Sequence, residues 1–166
     1  MKEILLAKSA GFCYGVRRAV RMAEEAAAVC SSCVMLGPII HNAHVVEDLV
    51  RKGVRRIGCP DEVSEGETVI IRSHGEAKDV LEVLEGRGGR VVNSTCPRVL
   101  KIQQLVHRAE EEGRIPLIIG DPGHPEVLGV AGWCSRALIF PSPETIENWL
   151  AEDASRTQLP LTVVSQ

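Results

Sequence analysis

The chain has 166 residues and a mass of 18.0 kDa, with 45% apolar and 25% charged residues, which fits one globular domain or two small ones and excludes disordered, collagen-like and coiled-coil sequence. Nineteen basic against 22 acidic residues give a net charge of -3, and aromatics are only 3%, so no nucleic-acid partner is expected: there is no basic excess to hold a phosphate backbone, and few rings could stack bases. No apolar run approaches the ~20 residues of a membrane helix, so no membrane partner is expected either.

In chain order, short apolar runs alternate with amphipathic stretches. Ile4–Ala7 is predicted to be a strand. Tyr14–Val29 is predicted to be a helix, with Val16, Ala19, Val20, Ala23, Ala26 and Ala27 on one face. A short strand at Val34–Leu36 is followed by a helix over Asn42–Lys52 that Gly53 ends. Strands at Val54–Ile57 and Thr68–Arg72, a helix over Glu76–Glu85 and a strand at Arg90–Asn93 come next. The helix over Pro97–Glu112 has proline at its first position, where the missing N–H leaves no bond unmade. A strand at Ile115–Ile119, a short helix or turn over Pro125–Gly132, a strand at Ala137–Phe140, a helix over Pro143–Leu150 and a strand at Leu161–Val164 follow. The alternation specifies an α/β fold with mostly parallel sheets covered by helices. A boundary near Thr95–Pro97 divides it into an α/β unit over residues 1–96 and a second over 97–166.

The segments that follow the strands carry the chemistry. They are Gly11-Phe12-Cys13-Tyr14-Gly15, Pro38-Ile39-Ile40-His41-Asn42, Ser73-His74-Gly75, Ser94-Thr95-Cys96-Pro97 and Gly120-Asp121-Pro122-Gly123-His124-Pro125-Glu126. Each places a Cys or a His in a strand-to-helix turn, the edge where α/β proteins build ligand sites. Each of these residues also has a packing or capping reading and none is decisive alone; their repeated placement is the signal. Helix N-termini and imidazoles suit a phosphate or diphosphate. Thiolates from separate turns suit a soft metal or an iron–sulfur cluster, and helix starts such as the one at Cys96 favour the thiolate form. Glu126 is then a candidate proton source.

Other reactive residues carry weaker signals. Cys30-Ser31-Ser32-Cys33 has C-x-x-C spacing but no second pair, and it follows a helix instead of opening one. Cys59, Cys134, His44 and His107 read as packing or surface residues, and Arg17, Arg18 and Arg21 as a solvated face. Six cysteines behind an N-terminus too short and too acidic for a signal peptide point to reduced thiols in the cytoplasm.

At these residues the chain resembles the 4-hydroxy-3-methylbut-2-enyl diphosphate reductase family. Gly11-Phe12-Cys13-Tyr14-Gly15-Val16 with Arg18-Ala19, then His41-Asn42, Ser73-His74-Gly75, Thr95-Cys96-Pro97 and Gly123-His124-Pro125-Glu126-Val127 with Gly129, follow the family's motifs in order. The resemblance implies two of the three lobes of a trefoil-like α/β reductase built around a [4Fe-4S] cluster. It implies Cys13 and Cys96 as cluster ligands, His41, His74 and His124 as diphosphate-binding residues and Glu126 as the proton-delivering residue. The implied reaction is reductive dehydroxylation to isopentenyl and dimethylallyl diphosphate, with ferredoxin or flavodoxin as electron donor. The family's third cluster cysteine lies in a later part of its pattern, and none of the remaining cysteines here stands at a motif position. The chain is therefore expected to be a fragment with little turnover alone. A non-catalytic diphosphate- or metal-binding module is the competing expectation. A zinc hydrolase using His41, His74 and His124 is a weaker one, since no H-E-x-x-H spacing is present.

Overall fold

The computed structural model describes residues 4–166. Its elements are α1 (Tyr14–Val29), β1 (Cys33–Leu36), α2 (Ala43–Arg51), β2 (Arg55–Ile57), β3 (Thr68–Ile71), α3 (Lys78–Gly86), β4 (Arg90–Asn93), α4 (Pro97–Glu111), β5 (Ile115–Ile119), α5 (Pro125–Ala131), β6 (Leu138–Phe140), α6 (Pro143–Glu152) and β7 (Leu161–Ser165). Two 3-10 turns, Pro60–Glu62 and Ala154–Gln158, have no counterpart in the periodicity.

All strand pairings are parallel. The first sheet has the order β2-β1-β3-β4 and the second the order β6-β5-β7. In the first sheet, Cys33 and Met35 of β1 and Ile70 of β3 pack with Ala19, Ala23 and Ala26 of α1 and Leu49 of α2. The alternate residues Val34, Leu36, Val69 and Ile71 pack on the other face with Leu84 of α3. Both faces are covered, which is why these strands read as unbroken apolar runs. Each fully buried aliphatic side chain contributes about 1.5–3 kcal/mol. Small residues at Gly15, Ala19, Ala23 and Ala26 form the buried stripe of α1. In the second sheet, Ile118 of β5 and Val164 of β7 pack with Val99 and Val106 of α4 and Val127 and Val130 of α5. On α6, Trp149 packs against Phe140 of β6, with ring centroids 5.5 Å apart.

One expected strand does not form. Ile4–Ala7 has no ladder partner among the described residues, and Ile4, Leu5 and Leu6 are 92%, 84% and 85% exposed. A strand forms only where a neighbour satisfies its backbone groups, and this segment joins neither sheet. The segment with Cys13 is thus the N-terminal approach to α1, not a strand-to-helix turn. The helix expected from Glu76 begins at Lys78, because the Glu76 carbonyl accepts side-chain donors from Gln103 and Trp133.

Candidate active site

The turns after β1, β3 and β4 are laced together by backbone hydrogen bonds. The Ser73 amide donates to the Ile39 carbonyl at 3.0 Å, and the Cys96 amide donates to the Ser73 carbonyl at 2.9 Å. The turn before Cys96 is held by Asn93, whose Oδ1 accepts from the Thr95 amide at 3.1 Å. Arg18 of α1 donates to the Thr95 carbonyl at 3.1 Å, tying the helix that starts behind Cys13 to the turn that carries Cys96. These bonds follow from the parallel register: three neighbouring strands end at one edge, so their turns touch.

His41, His74 and His124 converge at that edge. Their ring centroids are 4.5 Å (His41–His74), 5.9 Å (His41–His124) and 5.7 Å (His74–His124) apart. His41 is exposed, while His74 and His124 are half-buried. Burial, then the neighbouring His41, His124 and Arg72, push His74 down to about 4, so it is a neutral donor or acceptor at pH 7. His124 caps α5: its Nδ1 accepts from the Glu126 amide at 3.2 Å, which puts the ring proton on Nε2. Burial raises the Glu126 carboxyl above its ordinary range, against the opposing pull of His124. A carboxyl that holds its proton more tightly is better matched to proton delivery near neutrality.

Cys13 and Cys96 line one cavity of about 440 Å³ together with Tyr14, Gly15, Pro97 and Arg98. Cys13 precedes α1 and is exposed; Cys96 precedes α4 and is half-buried. A Cβ on Gly15 would lie 2.6 Å from the Cys96 Sγ, so the absent side chain at Gly15 is what lets that sulfur sit against α1. Two thiols from separate elements facing one cavity fit the soft donor set that an iron–sulfur cluster requires. Among the described residues, no three His, Cys, Asp or Glu stand in metal-holding geometry: the three imidazoles do not, and no third such residue joins Cys13 and Cys96. Cys30 and Cys33 flank the α1–β1 connection, Cys59 precedes a 3-10 turn, and Cys134 bonds the Ala131 carbonyl. Burial, then Cys30 and Glu67, push Cys33 up to about 11, as suits an inert packing thiol.

Two features at this edge are absent from the sequence-level expectations. Arg72 and Glu76 form a largely buried ion pair, Nε to Oε1 2.6 Å, that brackets Ser73-His74-Gly75. Gln103 is 2% exposed in the α4 interface. Each had a sequence signal: an Arg and a Glu four apart around the histidine, and a polar residue among the apolar positions Val99, Val106 and Ala109.

The sequence matches the family model described as LytB protein over residues 4–166. A relative from Caldanaerobacter subterraneus subsp. tengcongensis, named 4-hydroxy-3-methylbut-2-enyl diphosphate reductase, is 44% identical over 151 residues, covering 88% of this chain and 52% of the relative. A second of that name, from Clostridioides difficile, is 37% identical over 156 residues, covering 93% of this chain and 56% of the relative. The chain thus spans about half the length of these relatives. A solved structure of (E)-4-hydroxy-3-methyl-but-2-enyl diphosphate reductase superposes with a TM-score of 0.76 at 32% identity, over 99% of this chain and 68% of that one. The corresponding reductase structure from Plasmodium falciparum gives 0.87 at 25% identity, over 96% and 49%.

Proposed function

The chain belongs to the LytB protein family, and from that membership we propose that it forms the diphosphate-binding part, and two-thirds of the cluster-binding part, of a 4-hydroxy-3-methylbut-2-enyl diphosphate reductase. The observation that carries this reading is the convergence of three imidazoles, 4.5–5.9 Å apart, at the sheet edge whose neighbouring turn supplies Cys96 to the two-thiol cavity. His41, His74 and His124 bind the diphosphate oxygens through ring N–H groups. The Nε2 proton of His124 is free for this because its Nδ1 is engaged. Cys13 and Cys96 would hold a [4Fe-4S] cluster, which when bound would relay the two electrons of the reaction one at a time. The net change removes the substrate hydroxyl as water, with uptake of two electrons and two protons, to give isopentenyl or dimethylallyl diphosphate. Glu126, with its raised carboxyl, delivers protons to the departing oxygen. The electrons come from a ferredoxin or flavodoxin, and the location is cytoplasmic. The resemblance assigns a third thiolate that none of the other cysteines is placed to supply, so turnover by this chain alone is minimal.

The test is anaerobic reconstitution of the chain with iron and sulfide, using a small thiol to complete the coordination, alongside calorimetry with inorganic pyrophosphate. Wild type is expected to develop iron–sulfur absorption that is lost in Cys13→Ser and in Cys96→Ser. Pyrophosphate binding is expected to survive both substitutions and to be lost in His124→Gln. Iron uptake indifferent to both cysteines would overturn the reading. Pyrophosphate binding without any iron would instead establish a non-catalytic diphosphate module.

A further inference from the structure

We propose that Gln103 is the positioning residue that sets the spacing between His74 and the α5 pair His124 and Glu126. Its consequence for ligand affinity rests on the diphosphate-binding reading above; its geometry does not.

Gln103 sits among apolar neighbours on α4, where a buried amide is costly unless both its protons are bonded. Its Nε2 donates to the Glu76 carbonyl at 3.2 Å and to the Gly129 carbonyl at 3.3 Å. Glu76 lies two residues beyond His74, and Gly129 lies three beyond Glu126 on α5. A single NH2 group therefore joins the turn that carries one imidazole to the helix that begins at another. The Gly129 carbonyl is open to it because the Trp133 amide, four residues on, bonds Val130 instead, at 3.1 Å. Two further bonds cross the same seam: Trp133 Nε1 to the Glu76 carbonyl at 3.0 Å, and the Lys78 amide to the Gly132 carbonyl at 3.2 Å.

Close backbone approach makes the seam sensitive to this amide. Gly75 has φ +78, and a Cβ there would lie 2.6 Å from Gln103 Nε2. A Cβ on Gly129 would lie 3.1 Å from the Gly75 carbonyl oxygen, and one on Gly132 would lie 2.2 Å from the Ala77 Cβ. With the two backbones this near, the Gln103 NH2 group is the one donor that the Glu76 carbonyl and the Gly129 carbonyl share, the Trp133 indole reaching Glu76 alone. Gln103 thus fixes the 5.7 Å separation of His74 and His124 without touching either ring.

The experiment is nuclear magnetic resonance on the labelled 166-residue chain, in wild type, Gln103→Met and Gln103→Glu. Both variants keep the side-chain volume, and neither can donate to two carbonyls. In wild type the Gln103 NH2 protons are expected to be protected from solvent exchange, and His74 and His124 ring protons to show a nuclear Overhauser contact. In both variants that contact is expected to be lost and inorganic pyrophosphate to bind roughly tenfold more weakly. Acidification is expected to restore the ring contact in part in Gln103→Glu, whose protonated acid donates to one of the two carbonyls, and not in Gln103→Met; a residue that only fills space would show no such difference. The proposal is overturned if both variants keep the contact and bind pyrophosphate within twofold of wild type. It is equally overturned if the wild-type NH2 protons exchange like those of an exposed amide, a result that stands even where neither variant folds. A wild-type chain that binds no pyrophosphate would sink the functional reading, while exchange and ring spacing would still decide the role of Gln103.

Discussion

Gly15→Ala tests whether the contact between α1 and Cys96 is as tight as the thiol pocket requires. The added Cβ would lie 2.6 Å from Cys96 Sγ and 3.2 Å from Cys96 Cβ, well inside ordinary contact. Overpacking of this kind costs about 1–3 kcal/mol. The same substitution gains up to about 1 kcal/mol of helix propensity. Gly86→Ala at the end of α3 is the matched control, because nothing lies within 4 Å of its Cβ and its φ is not positive. The control should therefore show the propensity gain alone. Gly15→Ala should unfold about 1–3 kcal/mol below it, which at a slope of about 2 kcal/mol per M moves the urea midpoint by about 0.5–1.5 M. The clash has one other escape, rotation of the Cys96 sulfur away from α1. That would preserve stability but take the sulfur out of the cavity it shares with Cys13, so iron uptake on reconstitution would fall instead. Urea denaturation and iron analysis together cover both routes. A Gly15→Ala chain as stable as the Gly86→Ala control and loading iron like wild type would refute the reasoning.

Two further outcomes follow from groups around the histidines. His74 takes its proton near 6.5 when unfolded but only at about 4 when folded, so between those values the unfolded state binds more protons and this contribution to stability falls as pH drops from about 6.5 to 4. Burial-raised Glu76 and Glu126 act in the opposite sense, so the effect should be read as the difference between wild type and His74→Gln in urea melts; a pH-independent difference would count against it. Arg72→Met leaves the Glu76 carboxylate buried without its partner and should cost about 3 kcal/mol at neutral pH, with less lost in acid as Glu76 protonates, its carboxyl being raised by burial. The double variant Arg72→Met/Glu76→Leu should recover most of that loss, and equal losses in single and double variants would show that the ion pair is not what holds the turn.

The alternation of apolar runs with amphipathic stretches determined the α/β class and nearly every element, because strands buried on both faces and helices with one small or apolar stripe leave distinct local patterns. Tyr14–Val29 was legible from its alanine spacing, and the helix at Pro97 from its opening proline. The same logic placed His41, His74 and Cys96 in turns at the edge of the first sheet, where its parallel strands end, and His124 in the turn after β5 of the second sheet; tertiary packing brings His124 beside the other two imidazoles. Ile4–Ala7 shows the limit of local pattern: it is apolar enough for a strand, but a strand exists only with a partner, and neither sheet accepts it. The Gly15–Cys96 contact and the Gln103 bridge were likewise settled by tertiary structure alone, whereas for Arg72 and Glu76, four residues apart around one turn, it decided only the burial of the pair. The first two join residues by a distance that depends on how two elements pack, and a linear sequence carries the chemistry of a buried amide or a missing Cβ without saying what stands opposite it.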